Sequence, residues 1–170
     1  MSLEEIIARD EAVSWRIAQY ADYRIIHAVA WLIARTGDSI FWLLISAILL
    51  WLRRPEGWPL LITVAVTALL TAVAKGIFKR ERPSEKWAIA TDKYAFPSGH
   101  AARAGAVAVT LAFFFPPYTF FCFLWAVLVA LARVILARHY LSDVAGGLLF
   151  GVLVSLILQL FFISYGLSGS

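Results

Sequence analysis

The chain has 170 residues, of which 62% are hydrophobic and 15% are charged, and its net charge at pH 7 is +4. A soluble domain of this size needs more polar residues to cover its surface, so the composition excludes an ordinary soluble protein. Apolar runs near the ~20 residues that cross a ~30 Å hydrocarbon layer indicate a single membrane domain, residues 1–170. Because backbone groups in lipid need partners within their own segment, and strand-like alternation is absent, we predict an all-α polytopic helical bundle.

The N-terminal segment, residues 1–35, is predicted to lie at the membrane surface. Charged residues between Glu4 and Arg16 are incompatible with the apolar core of a signal peptide, so none is expected. Apolar residues recur at helical spacing with the charges mostly on the other side, which predicts an amphipathic surface helix; a short soluble helix is the alternative. The apolar stretch 25–34 is too short to cross alone, and residues 35–38 interrupt it. The apolar positions of the first helix are Leu3, Ile6, Ile7, Val13, Ile17 and Tyr20.

Five apolar segments after this region are predicted to be transmembrane helices. The first has about 14 residues, which is short for a span, and its start is left open. Two pairs of small residues spaced four apart, Gly147 with Gly151 and Ala101 with Gly105, predict close packing between helices. The predicted spans are 39–52, 58–74, 98–115, 118–137 and 141–164.

Unusual polar residues lie where four of these spans meet the same membrane face. Successive spans cross the bilayer in opposite directions. The end of the second span, the start of the third, the end of the fourth and the start of the fifth therefore lie on the same membrane face. Ionisable groups at membrane depth are costly, so their convergence predicts a functional site. The residues are Lys75 to Pro83, Pro97 to His100, Arg133, and His139 with Asp143.

Several of these residues are suited to binding phosphate. Lys75, Lys79 and Arg82 are spaced i, i+4 and i+7, so one helical face presents three cations if the helix continues that far, before Pro83 ends it. Arginine also offers a planar fork that binds two phosphate oxygens, and Arg133 supplies another such fork from the fourth span.

The second and third polar sites add an anion-binding helix start and two histidines. Ser98 and Gly99 open the third span, where backbone N–H groups and the helix dipole favour an anion. His139 and Asp143 are four residues apart and share a face if they are helical. The carboxylate then holds one imidazole nitrogen protonated while the other faces phosphorus, with histidine as the nucleophile. His100 is the natural acid for a departing alkoxide.

The three motifs together resemble the signatures of the type 2 phosphatidic acid phosphatase (PAP2) superfamily. They are Lys-x6-Arg-Pro at 75–83, Pro-Ser-Gly-His at 97–100 and Arg-x5-His-x3-Asp at 133–143. That superfamily includes bacterial phosphatidylglycerophosphate and undecaprenyl pyrophosphate phosphatases, glucose-6-phosphatase and vanadium haloperoxidases. The resemblance implies a short, membrane-embedded lipid phosphatase that uses no metal or other cofactor and forms a phosphohistidine. It implies phosphate binding by Lys75, Arg82, Ser98, Gly99 and Arg133, with His139 as nucleophile, Asp143 as its orienter and His100 as general acid.

One motif position and several nearby cations need separate interpretation. The family often has serine before the third-motif arginine, whereas this chain has Ala132, so one phosphate hydrogen bond is expected to be missing. Arg103 is interpreted as an interfacial residue or, alternatively, as a contact to the substrate headgroup. The cations interpreted as interfacial are Lys79, Arg80, Lys86 and Lys93.

The expected partners are the bilayer and a phosphorylated membrane lipid, with no nucleic acid, and the oligomeric state stays open. Phosphatidic acid, phosphatidylglycerophosphate and polyprenyl phosphates or pyrophosphates all offer the same terminal group, and the segment 84–96 is expected to discriminate among them. Alternative functions are a vanadate-dependent peroxidase, which we expect to be soluble, and an anion channel or transporter. The channel is disfavoured because the charges stay at one face and do not continue through the spans.

The charge distribution predicts which side of the cell membrane the site faces. Only Arg53 and Arg54 lie on the opposite face, whereas 13 of the 15 basic residues lie on the face of the site. Setting aside the three phosphate-binding cations leaves ten against two, so the positive-inside rule predicts a cytoplasmic site. Many members of the resembling family work on the outer face, which argues the other way. We expect a cysteine at position 55 to be labelled from outside intact cells; labelling only after lysis would reverse the orientation.

Overall fold

Seven α-helices make up most of the described part of the chain, residues 2–83 and 93–165 of the computed structural model. Two short 3-10 turns, Gln19–Asp22 and Pro116–Tyr118, precede α2 and α6. Within these residues no strand occurs, so the predicted all-α class is confirmed. The helices are α1 Leu3–Ala18, α2 Arg24–Arg35, α3 Ser39–Trp51, α4 Gly57–Phe78, α5 Gly99–Phe114, α6 Thr119–Ile135 and α7 Leu141–Ser164.

Three of the described helical segments are long and apolar enough to cross a bilayer. They are α4, α7 and the segment Pro116–Ile135 that contains α6. A fourth candidate is the pair α2 and α3, which qualifies when taken together although it is bent by 47°. With 16 residues, α5 is apolar but shorter. The chain is therefore a multi-pass membrane protein, whereas the predicted number of five spans is not confirmed.

The first predicted span, 39–52, corresponds to α3, and its start was left open in the prediction. α3 has 13 residues, which at ~1.5 Å per residue covers only about 20 Å of a ~30 Å layer. The candidate span is instead α2 and α3 with a break between Arg35 and Ser39. At the break, Trp42 Nε1 donates to the Thr36 carbonyl at 2.7 Å, and Trp125 Nε1 donates to Thr36 Oγ1 at 2.8 Å. Non-helical backbone at membrane depth is tolerated when protein groups satisfy it in this way.

α5 lies at the centre of the bundle and packs against α4, α6 and α7. Its contact with α7 is so close that backbone meets backbone. A Cβ atom added at Gly147 would lie 2.6 Å from the Ser98 carbonyl oxygen, and one added at Gly105 would lie 2.6 Å from the Leu148 carbonyl oxygen. Gly151 is tighter still against the backbone of α5. The close packing predicted from the small-residue pairs is confirmed, and it holds the start of α5 against the start of α7.

α1 forms a capped helix at the N-terminus. Ser2 Oγ accepts the Glu5 backbone N–H, and the Glu5 carboxylate accepts the Ser2 backbone N–H, which is a capping box. The helix ends at Ala18, so Tyr20 lies in the following 3-10 turn and not on the predicted helix. α1 packs against α6 and α7. Its position on the membrane surface stays a prediction.

The contact between α5 and α7 predicts the effect of one added methyl group. Gly147→Ala should lower the stability of the folded protein by about 1–3 kcal/mol, because the new Cβ overpacks against backbone that has little room to move. Gly76→Ala is the matched control, since a Cβ there has no neighbour within 4 Å among the described residues. Thermal unfolding in detergent measures the stability of both variants. Equal melting temperatures for the two variants would contradict the close approach of the two helices.

Candidate active site

The helix that carries the start of the first motif, α4, ends before the motif is complete. α4 ends at Phe78, and Lys79 adopts a left-handed conformation with φ 49°, as residues that terminate helices often do. Lys79 is exposed, whereas Lys75 in the last turn of α4 and Arg82 beyond the helix are both 9% exposed. The helix does not continue to Arg82, so the condition for three cations on one helical face is not met. Lys75 and Arg82 turn inward and Lys79 does not.

The second motif begins α5 with a buried serine. Ser98 is the N-cap residue and is fully buried, but its hydroxyl makes no capping bond and has no hydrogen-bond partner among the described residues. Its backbone N–H donates to the Asp143 carbonyl at 3.0 Å, which ties the second motif to the third. Gly99 follows as the first helical residue. A buried hydroxyl that does not cap its own helix is suited to hydrogen-bond a phosphate oxygen.

The third motif folds back on itself at the end of α6. The Arg138 N–H donates to the Arg133 carbonyl at 3.0 Å, and the Ala137 N–H donates to the Val134 carbonyl at 2.9 Å. Ala137 has φ 51°, so the turn is a Schellman motif with alanine in the place usually taken by glycine. This reversal leads into His139, whose side chain is 1% exposed.

His139 is buried, and the charges of several motif residues act on its imidazole. Burial lowers the pKa of its imidazole well below the usual range, and the positive charges of nearby side chains lower it further. The ring is therefore neutral at physiological pH, which a nucleophile requires. The residues whose charges act on it are, in decreasing order, Arg133, Arg82, Lys75 and His100. The structure thus brings residues of all three motifs around one histidine.

His139 and Asp143 meet in a different way from the predicted one. α7 begins at Leu141, so His139 lies in the turn before the helix and the two side chains do not share a helical face. His139 Nδ1 nevertheless lies 3.8 Å from Asp143 Oδ2, a distance that is too long for a hydrogen bond. Asp143 Oδ2 accepts the Tyr140 backbone N–H at 2.8 Å. Catalytic hydrogen bonds often tighten only when substrate binds.

His100 contacts a carboxylate from the break between α2 and α3. Its Nε2 lies 2.7 Å from Asp38 Oδ1. Arg103 Nη2 lies 3.4 Å from Nδ1 of the same ring, and Arg103 Nε donates to the Gly37 carbonyl at 3.2 Å. Sequence reasoning treated Asp38 only as an interruption of an apolar stretch. A carboxylate flanked by apolar segments was the available signal, because such residues seldom lie at membrane depth without a partner.

Arg80 was also missed. It was interpreted as an interfacial cation, but its Nη1 donates to Asp143 Oδ1 at 2.8 Å and its Nη2 donates to Asp10 Oδ2 at 2.8 Å. That interpretation is therefore wrong. Lys86 lies outside the described residues, and Lys93 lies at the cavity beside the site.

A cavity of about 320 Å³ lies beside the candidate site. Lys75, Gly99 and His100 line its polar part. Ala68 and Ala72 of α4 line a less polar part, and Ala72 is exposed on the outside of the helix. Such a cavity is suited to a molecule with an anionic head and an apolar tail.

Comparison with known proteins gives a consistent family. The family model of the PAP2 superfamily matches residues 56–164. A lipid A 1-phosphatase from Rhizobium johnstonii is 30% identical over 77% of this chain and 66% of its own length. An undecaprenyl-diphosphatase from Sulfolobus acidocaldarius is 27% identical over 84% of this chain and 74% of its own length. The chain thus spans about two thirds to three quarters of the length of these two relatives.

A solved structure has the same fold. The crystal structure of a transmembrane PAP2-type phosphatidylglycerolphosphate phosphatase from Bacillus subtilis superimposes with a TM-score of 0.79 at 26% identity. The match covers 94% of this chain and 87% of the other. The helices that carry the candidate site therefore belong to a fold already known in a membrane enzyme.

Proposed function

Because the chain belongs to the PAP2 superfamily, we propose that it is a metal-independent lipid phosphatase that removes a terminal phosphate through a phosphohistidine intermediate. The observation that carries the proposal is the buried, neutral His139 with the positive charges of Lys75, Arg82 and Arg133 acting on it. Cations held in this way stabilise the charge that develops on a phosphoryl group in the transition state, without a metal ion. The relatives support a lipid substrate, since one is named as a phosphatase of lipid A and another as an undecaprenyl-diphosphatase.

The reaction is proposed in two steps. His139 Nε2 attacks phosphorus while Nδ1 faces Asp143, and the bond from phosphorus to the lipid oxygen breaks as His100 gives that oxygen a proton. Water then attacks the phosphohistidine, His100 takes its proton, and inorganic phosphate leaves. Asp38 fixes the orientation of the His100 ring through the contact at Nε2. Ser98 Oγ donates to a phosphate oxygen in both steps.

The substrate is proposed as a lipid with a terminal phosphate monoester or pyrophosphate. The cavity receives the head beside Lys75 and His100 and the start of the tail along α4. Residues 84–92 of the segment expected to discriminate among lipids lie outside the described part. The cytoplasmic orientation of the site in the cell membrane stays a prediction from the charge distribution.

The substrate class is tested by phosphate release in detergent with excess EDTA. The panel is phosphatidic acid, phosphatidylglycerophosphate, undecaprenyl pyrophosphate, undecaprenyl phosphate and a lipid A 1-phosphate. We expect turnover of at least one of these lipids and no loss on chelation, because side chains supply the positive charge. Activity that disappears with EDTA and returns with one divalent ion would contradict metal independence. Release from none of the lipids would contradict the proposed function.

The two histidines should fail differently when they are replaced. His139→Ala should lose turnover of every substrate, because no phosphoenzyme forms. His100→Ala should lose roughly 10²–10⁴-fold on a lipid phosphate, whose alkoxide needs a proton, but much less on nitrophenyl phosphate, whose leaving group departs unaided. Asp143→Asn should resemble a weakened His139 variant on both substrates.

Steady-state hydrolysis of both substrates, with acid-labile phosphoenzyme trapped by rapid quench, measures these effects. Near-normal turnover by His139→Ala would show that it is not the nucleophile. Equal losses on both substrates for His100→Ala would show that its role is not that of the acid.

A further inference from the structure

We infer that α1 belongs to the catalytic apparatus: Asp10, acting through Arg80, positions the carboxylate of Asp143 toward His139. The inference rests on the proposed function, because it assigns positioning residues to the proposed pair of nucleophile and orienter. Asp10 lies outside the three motifs, and Arg80 occupies one of the variable positions of the first. Asp10 also lies outside residues 56–164, which the family model matches.

The carboxylate of Asp143 is fixed from two sides. Oδ1 accepts Arg80 Nη1 at 2.8 Å, and Oδ2 accepts the Tyr140 backbone N–H at 2.8 Å. The side chain is fully buried, so no solvent competes for either oxygen. Two donors on two oxygens set the rotation of the carboxylate, and they leave Oδ2 as the atom that faces His139 Nδ1. A buried carboxylate also needs a neighbouring positive charge to stay ionised, and Arg80 supplies it.

Arg80 is itself held in place by groups on α1 and α7. Its Nη2 donates to Asp10 Oδ2 at 2.8 Å, and its Nη1 also donates to Ser142 Oγ at 2.6 Å. The guanidinium carbon lies 4.6 Å from the centroid of the Tyr140 ring. A planar guanidinium with donors in a fixed fork can bridge two carboxylates and stack on an aromatic ring, whereas a lysine ammonium cannot reproduce this geometry.

α1 also caps the first turn of α7, which carries Asp143. Asp10 Oδ1 accepts the Ser142 backbone N–H at 2.9 Å, and Asp10 Oδ2 accepts the Ser142 hydroxyl in a short hydrogen bond. One helical turn further along α1, Ser14 Oγ accepts the Leu141 backbone N–H at 2.8 Å. These N–H groups have no partner within their own helix, and a carboxylate at a helix N-terminus is favoured by the dipole. The same side chain of α1 therefore fixes both Arg80 and the start of α7.

These contacts form one chain, Asp10 to Arg80 to Asp143 to His139. The residues proposed to bind phosphate are not part of it, so weakening the chain should leave substrate binding intact and slow the chemical step. A role confined to folding would instead lower the amount of folded protein without changing the kcat of the molecules that remain. Measuring kcat and KM separately for each variant distinguishes the positioning role from a role confined to folding.

The test uses the purified full chain with nitrophenyl phosphate and a lipid substrate. Arg80→Met should lower kcat roughly 10–100-fold, by analogy with the loss of a residue that orients a metal ligand, with KM nearly unchanged. Arg80→Lys should restore little, and Asp10→Asn should give a smaller loss of kcat. Glu4→Gln is the matched control, because it removes a charge from an exposed position of the same helix. Thermal unfolding confirms that each variant is folded.

A double-mutant cycle provides the decisive comparison. In an Asp143→Asn background, Arg80→Met and Asp10→Asn should cause little further loss, because they act through that carboxylate. Losses that multiply fully in this background, or an Arg80→Met variant with wild-type kcat, would overturn the inference. If Arg80→Met does not fold, Asp10→Asn carries the same comparison.

A second readout needs no activity. The ¹⁵N imidazole spectrum of His139 should show one tautomer, with the proton on Nδ1, and Asp10→Asn or Arg80→Met should convert it to a mixture. An unchanged spectrum in both variants would overturn the inference. Wild-type protein that releases phosphate from no lipid would contradict the proposed function alone, since the spectrum still reports whether Asp10 and Arg80 orient the pair.

Discussion

The hydrogen bond from the Ser98 backbone to the Asp143 carbonyl, 3.0 Å long, is the contact on which the rest of the site depends. It joins residues of two motifs that are more than forty positions apart in the sequence, and it can form only because α5 and α7 approach backbone to backbone. Glycine makes that approach feasible, since a Cβ at Gly147 would lie 2.6 Å from the Ser98 carbonyl oxygen. The packing rule for helices in lipid therefore decides whether the catalytic groups meet at all.

Bringing a carboxylate so close to a phosphate site raises an electrostatic problem, because Asp143 would repel an anionic substrate. Arg80 offsets that charge at 2.8 Å, and Asp10 in turn balances Arg80. The carboxylate then acts locally on His139 while its field at the phosphate is reduced. The charges of Lys75, Arg82 and Arg133, the residues proposed to bind phosphate, act on the same imidazole. In the proposed mechanism, the residue that orients the nucleophile is thus distinct from the residues that bind the anion.

The sequence predicted the helical class and the meeting of Lys75, Arg82 and Arg133 at His139, because span direction and residue type decide both. It did not predict that Lys79 would end α4, since the left-handed conformation there falls on a lysine and not on a glycine, which would have signalled it. The start of the first span stayed open because a bent pair of short helices has no continuous apolar run of the usual length. Contacts such as Arg80 with Asp10 join residues 70 positions apart, and no local pattern encodes a partner at that distance.

The first forty residues carry none of the motifs, yet each of the two proposed catalytic histidines depends on a carboxylate from this region. Asp38 contacts His100 at 2.7 Å, and Asp10 reaches His139 through Arg80 and Asp143. Both carboxylates are held by the structure around them: Asp38 at the break between α2 and α3, and Asp10 at the start of α7. Backbone groups at a break between helices and at a helix N-terminus need partners outside their own helix. In this protein the site supplies those partners, so the N-terminal region and the catalytic motifs stabilise one another.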